Sequence, residues 1–112
     1  MEFEQTSFEK GTILKPKGRI DTVSSRAFEE KLSSLLDTEG CTHLIISLEH
    51  VDYISSAGLR IFLMIGKKLK SAGGGFVLCC MAERILDVFR MSGFDKIILI
   101  STTLEEAQKA IA

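Results

Sequence analysis

The chain has 112 residues, 46% hydrophobic and 26% charged, enough to bury one core without disulfide or metal staples. A net charge of −1 gives no global field that would hold nucleic acid or an anionic membrane. No apolar run approaches the roughly 20 residues of a bilayer span, and Met1–Thr12 lacks the charged-then-apolar pattern of a secretory signal. A cytoplasmic location without membrane insertion is therefore expected.

Phe3 to Phe8 and Thr12 to Pro16 read as two strands around the turn Glu9-Lys10-Gly11, a hairpin signal. Pro16 cannot donate to a ladder, so it is expected near a strand end or a bulge. Gly18 to Thr22 reads as a loop, and Asp21 or Thr22 can cap a helix running to about Asp37. On that helix Phe28, Leu32, Leu35 and Leu36 follow i, i+4, i+7, i+8, one buried stripe. Leu44 to Leu48 is a short apolar run of the kind found in an interior strand covered on both faces. A loop, Glu49 to Ser55, leads to a helix from about Ala57 to Ser71, which Gly73-Gly74-Gly75 ends. Phe76 to Cys80 reads as another interior strand. Ala82, Ile85, Leu86 and Phe89 mark a third helix stopped at Gly93. Lys96 to Ile100 reads as a last strand, and Thr103-Leu104-Glu105-Glu106 is a capping-box pattern opening a final helix. The order ββαβαβαβα implies one α/β domain over residues 1–112, with a mixed, mostly parallel sheet, an N-terminal hairpin and about four helices.

Cys41, Cys79 and Cys80 form an odd set without CxxC spacing. They read as small hydrophobes rather than as a metal or redox site assisted by His43 and His50. Adjacent strand residues point to opposite faces, so Cys79 and Cys80 are poorly placed to share a metal. The informative segment is Val51-Asp52-Tyr53-Ile54-Ser55-Ser56-Ala57-Gly58-Leu59, placed beyond a strand's carboxyl end and at a helix start, where ligand sites gather in open α/β sheets. One serine there can be a simple N-cap; the other reading is a nucleophile or a modification site. A Gly-x-Ser-x-Gly nucleophile turn is absent, and neither histidine sits in a motif that would activate a serine. Gly73-Gly74-Gly75 lacks the Gly-Lys-Ser/Thr of a phosphate loop and precedes a strand. No metal spacing or cofactor motif is present, so an enzyme or nucleotide hydrolase is disfavoured and a binding protein is expected.

Ile54-Ser55-Ser56-Ala57-Gly58-Leu59, entered through Leu48-Glu49-His50-Val51-Asp52-Tyr53, resembles the signature of the STAS domain, and more narrowly that of the bacterial anti-sigma factor antagonists. Gly18-Arg19-Ile20-Asp21, the glycines before Phe76, Arg84 to Gly93 and Leu104-Glu105-Glu106-Ala107 resemble further family segments. The resemblance implies partner switching. The unphosphorylated chain would bind an anti-sigma factor that is also a serine kinase, phosphorylation would release it, and a metal-dependent serine phosphatase would reset the switch. By position relative to Gly58-Leu59 the phosphorylated serine maps to Ser56, with Ser55, standing where the family usually has Asp, as the alternative. The family's loop aspartate maps to Asp21. A second function compatible with the same domain is a stand-alone subunit of another assembly, a lipid-transport ABC system or a stressosome-like complex, without phosphorylation.

From Ser56 the i+4 row runs through Arg60, Met64 and Lys68. Asp21, Thr22, Ser55, Ser56, Gly58, Arg60 and Met64 are the expected partner-binding residues. Met64 has two readings, a recognition residue or a partly buried one, and Asp21 with Thr22 can be a cap, a partner contact or both. Lys67, Lys68 and Lys70 read as a solvated face at a helix C-terminus.

Overall fold

Strand β1 (Glu2–Phe8) pairs antiparallel with β2 (Gly11–Ile20), from Glu2 opposite Lys17 to Phe8 opposite Gly11, in the computed structural model. Residues 1–111 are described; Ala112, the last residue of the expected domain, lies outside them. β2 is longer than the sequence suggests and divides its partners. Thr12–Leu14 pair in parallel with β3 (His43–Ser47), whereas Gly18–Ile20 pair in parallel with β4 (Val51–Ile54). Pro16 is therefore not at a strand end, but it lies two residues before the register shift between Gly18 and Arg19, near a bulge as expected. It lies in the gap between the two parallel pairings, where a residue without an N–H interrupts neither. β5 (Gly75–Cys79) pairs with β3, and β6 (Leu99–Ser101) with β5, both in parallel. The sheet order is β1-β2-β3-β5-β6, with β4 beside the far half of β2.

Two expected boundaries move. Val51–Ile54 is a strand and not a loop: Val51 and Ile54 are buried, but Asp52 and Tyr53 between them are both exposed, which breaks the alternation that marks a strand. A register shift between Gly18 and Arg19 absorbs that irregularity. The last strand begins at Leu99 and not at Lys96. Gly93, left-handed at φ 78, is followed by a 3-10 turn over Phe94–Lys96, and the N–H groups of Ile97 and Ile98 both donate to the Phe94 carbonyl. Two residues of the apolar run are thus held in a turn.

Helix α1 (Ser25–Ser33) continues as a π-helical turn over Ser34–Thr38; α2 (Ser56–Ser71), α3 (Glu83–Ser92) and α4 (Leu104–Ala110) follow. None is long and apolar enough to cross a membrane. The strands are apolar on both faces because both are covered. Leu14, Leu44, Ile46 and Leu78 pack with Phe28 of α1, Phe62 of α2 and Phe89 of α3, while Ile13, Ile45, Val77 and Cys79 pack with Ala107 and Ile111 on the α4 side. A row of aromatic contacts runs across the larger cluster: Phe3 to Phe28 at 6.4 Å, Phe28 to Phe62 at 5.2 Å and Phe62 to Phe89 at 5.7 Å between ring centroids. It joins the hairpin to three helices.

Helix ends follow their local chemistry. Gly73, at φ 76, closes α2: its N–H donates to the Lys70 carbonyl and that of Gly74 to the Leu69 carbonyl. At α4, Thr103 Oγ1 accepts the Glu106 N–H at 3.1 Å, and the Glu106 carboxylate accepts the Thr102 N–H at 3.3 Å, one residue before the usual reciprocal partner. The cysteine pair is buried and half-buried as expected, but the two side chains do not take opposite faces. Cys79 is buried, as a small hydrophobe would be, but Cys80 lies just past the strand in a left-handed conformation, φ 63. Its Sγ turns back to 3.4 Å from that of Cys79, because alternation between faces holds only while the backbone stays extended.

Phe62 is fully buried and touches both Phe28 and Phe89 in the aromatic row, so its loss leaves a cavity at the centre of the core. Phe62→Ala should lower the unfolding free energy by about 3–5 kcal/mol in urea titration; a loss under ~1 kcal/mol would contradict this account of the core.

Candidate functional site

The site is assembled where β2 and β4 end side by side. The Ser55 N–H, just after β4, donates to the carbonyl of Ile20, the last residue of β2, at 2.8 Å. Ser55 is extended (φ −83, ψ 172) and is the N-cap of α2, its Oγ accepting the Gly58 N–H at 3.2 Å. Ser56 is the first helical residue and is exposed, whereas Ser55 is half-buried. The two adjacent serines therefore divide the work, one capping and one facing solvent.

Gly58 is buried and shapes the site from below. A Cβ there would stand 2.7 Å from Ile20 Cγ2, 3.1 Å from the Ile20 carbonyl oxygen and 3.1 Å from Ile54 Cγ2. Only a residue without a side chain lets the first turn of α2 come this close to the ends of β2 and β4. That approach puts the Asp21 loop and Ser56 at the same edge of the sheet.

Asp21 organises its own loop. Its Oδ1 accepts the N–H groups of Val23 and Ser24, both at 3.0 Å, and Arg19 Nε lies 3.5 Å from Oδ2. These donors, the Ser24 backbone first among them, hold the carboxyl below the usual carboxylate range, so Asp21 is anionic at neutral pH. Ser24 Oγ bonds to the Arg19 carbonyl and accepts the Asp21 N–H at 3.0 Å. Asp21 thus caps a turn that precedes the helix; the N-cap of α1 itself is Ser24, whose side chain makes no capping bond. Thr22 is exposed in that turn, beside Val23, which is 87% exposed.

Further side chains, not singled out from the sequence, complete the surface. The Arg19 guanidinium lies 4.4 Å from the centroid of the exposed Tyr53 ring, a cation–π contact. Arg84 of α3 reaches over to Asp52, with 3.6 Å between guanidinium and carboxylate. In the sequence these are scattered single residues, and only the pairing of β2 with β4 brings Arg19 beside Tyr53. Along α2, Arg60 is exposed, while Met64 is half-buried and packs on the main core. Arg60, Leu63, Met64, Lys67 and Lys68 line one open depression on that helix. Among the described residues no group of three His, Cys, Asp or Glu side chains is placed to hold a metal ion.

The division of labour between the serines is measurable. Ser55→Ala should cost about 0.5–2 kcal/mol of stability through the lost cap, and Ser56→Ala should stay within about 0.5 kcal/mol of the parent, as surface changes do. Equal losses would contradict the cap assignment. Gly58→Ala should destabilise by about 1–3 kcal/mol through overpacking against Ile20, in place of the ~1 kcal/mol that Ala gains over Gly in an open helix position. Stabilisation by Gly58→Ala in thermal unfolding would show that the close approach is not constrained.

Residues 4–107 match the STAS domain. The chain is 36% identical over 88 residues to the anti-sigma-B factor antagonist of Bacillus subtilis, covering 79% of each chain. It is 33% identical over 94 residues to BtrV of Bordetella bronchiseptica, a candidate anti-sigma factor antagonist, covering 84% of this chain and 80% of that one. The fold is that of a Thermotoga maritima crystal structure, also of a candidate anti-sigma factor antagonist, with a TM-score of 0.91 at 24% identity over 97% of this chain and 93% of the other. The match over nearly the whole chain, with the sheet, hairpin and helices in the same arrangement, means that this protein belongs to the STAS domain family.

Proposed function

We propose that the chain is an anti-sigma factor antagonist acting by partner switching in the cytoplasm. Unphosphorylated, it binds an anti-sigma factor with serine kinase activity; phosphorylation of Ser56 releases that partner, and a metal-dependent serine phosphatase restores the binding form. The names carried by its relatives in Bacillus and Bordetella support the antagonist role over a stand-alone subunit of a transport or stressosome-like assembly. On this reading the protein binds and is modified, and the chemistry belongs to its partners.

One observation carries the choice of serine. Ser56 is exposed at the first position of a 16-residue helix, while the Ser55 hydroxyl is committed to the Gly58 N–H and half-buried. A kinase needs a hydroxyl it can reach and can leave bearing a bulky dianion. Phosphate adds about −1.5 to −2 charges near pH 7, and a helix N-terminus tolerates them because its dipole and unpaired N–H groups favour an anion. The fold then has no reason to change. The docking surface does: a contact made by a small hydroxyl becomes a charged, solvated group at the edge that also carries the Asp21 loop. Like-charge juxtaposition with a partner that reads this edge costs several kcal/mol, and every ~1.4 kcal/mol is tenfold in affinity.

The surface around Ser56 suits such a partner. Val23 and Tyr53 give it exposed apolar area, Asp21 with Arg19 gives it a fixed charge pair, and Arg60 extends it one turn along α2.

Incubation with the native kinase and ATP, followed by peptide mapping, should place phosphate on Ser56 alone. Phosphate on Ser55, or none, would overturn the assignment. In calorimetry against the unphosphorylated chain's partner, Ser56→Asp should weaken binding roughly tenfold or more with the melting temperature nearly unchanged, and Ser56→Ala should bind but resist the kinase. Arg60→Ala should weaken binding by about 1–3 kcal/mol if it is central to the contact, with Lys70→Ala near the parent value. Equal, parental affinities for the two would remove the α2 row from the interface.

A further inference from the structure

The two thiols at the end of β5 stand apart from the switch surface and are unexplained by it. Cys79 closes β5 and is fully buried; Cys80 follows in the left-handed region at φ 63, the only non-glycine residue with a positive φ among those described. That conformation is unfavourable for a cysteine, whose Cβ it crowds, and it has a visible result. The side chain of Cys80 folds back onto its neighbour, with 3.4 Å between the two sulfurs, and neither thiol is in a disulfide. Cys80 is half-buried and packs in part against the smaller core cluster, whereas Cys79 is fully buried, so Cys80 is the more exposed residue of the pair.

We propose that Cys79 and Cys80 form an oxidation site, closing to a disulfide between neighbouring residues when the protein meets a peroxide. The thiolate of Cys80, the more exposed residue, attacks one peroxide oxygen; the O–O bond breaks, leaving a sulfenic acid on Cys80 and releasing hydroxide. The Cys79 sulfur then attacks the Cys80 sulfur, the S–O bond breaks, and the Cys79 proton leaves with the hydroxyl as water. Two electrons pass from the two sulfurs to the peroxide, which ends as two waters once the released hydroxide takes up the proton that Cys80 gave up on forming its thiolate. The order follows from burial: Cys79 is shielded from the oxidant, and burial pushes its thiol up to about 12, which leaves it unsuited to attack first. Closure needs the sulfurs to move from 3.4 Å to about 2.05 Å, a short step compared with that for any pair on separate elements. Neighbouring Cα atoms are only about 3.8 Å apart, below the roughly 4.4–6.8 Å of ordinary disulfides, so the bridge is strained. Strained bridges are readily reduced, and the modification is therefore reversible by a dithiol.

The test uses the whole chain under native conditions with hydrogen peroxide as the oxidant. Thiol titration after unfolding the treated chain should fall from the three cysteines present to one, with the monomer two hydrogens lighter, and dithiothreitol should restore all three. Cys41→Ser should close in the same way. Cys80→Ser should not, and because Cys80 is partly exposed this variant keeps its fold, which circular dichroism checks. Cys79→Ser, at a buried position, should retain a sulfenic acid on Cys80 that dimedone traps. Three thiols persisting in the oxidised wild type, a bridge involving Cys41, or covalent dimers in place of the intramolecular bond would each overturn the proposal.

Discussion

The approach of α2's first turn to the last residue of β2 is the constraint on which the candidate site depends. It is held by a main-chain bond, Ser55 N–H to the Ile20 carbonyl at 2.8 Å, and it is permitted by the missing side chain of Gly58. Because the contact is backbone to backbone, it fixes the cap residue, the direction of α2 and the position of the Asp21 loop together. Ser55 has to be extended to make that bond, and once extended its hydroxyl is the one placed to cap. Ser56 is left at the first helical position, facing out. The exposure of one serine is thus a consequence of how the other is tied down.

Around this junction the charges are arranged locally and do not form one field. Arg19 bridges the Asp21 carboxylate and the Tyr53 ring, and Arg84 reaches Asp52 from α3. Exposed pairs of this kind contribute little to stability, about 0–1 kcal/mol each. Their effect is geometric: they hold long side chains in fixed positions around the helix start, which lowers the ordering cost when a partner docks. A surface with an exposed hydroxyl at a helix start suits the proposed switch, which would work by changing what the surface presents. The support beneath it is the aromatic row from Phe3 to Phe89, which spans the hairpin and the three helices on that face.

Much of the architecture could be read from the chain because it rests on periodicity and punctuation. The stripe Phe28-Leu32-Leu35, the apolar run Leu44–Leu48 and the glycines after α2 and α3 each carry a local signal, and each stands where that signal puts it. What was not legible depends on partners far along the chain. β4 is a strand because Gly18–Ile20 lies beside it, although Asp52-Tyr53 spoils its alternation. Pro16 stays inside β2 because β3 stops pairing before it and β4 starts after it. Ile97 and Ile98 look like strand but are held by the turn that Gly93 begins. At the site, Ser55 and Ser56 are equivalent as a sequence, and a tertiary bond to Ile20 separates their roles. Cys79 and Cys80 would face opposite sides on an extended strand; the left-handed turn at Cys80 brings them together.

The central claim is that phosphorylation alters one edge of a fixed scaffold. The most direct measurement is a two-dimensional amide spectrum of the chain before and after full phosphorylation by the proposed kinase partner. The account predicts shifts confined to the Arg19–Ser24 loop and the Asp52–Arg60 segment, with the rest of the spectrum superimposing. Shifts spread through β5, α3 and α4 would show that the fold itself responds, and would contradict a switch made at the surface alone.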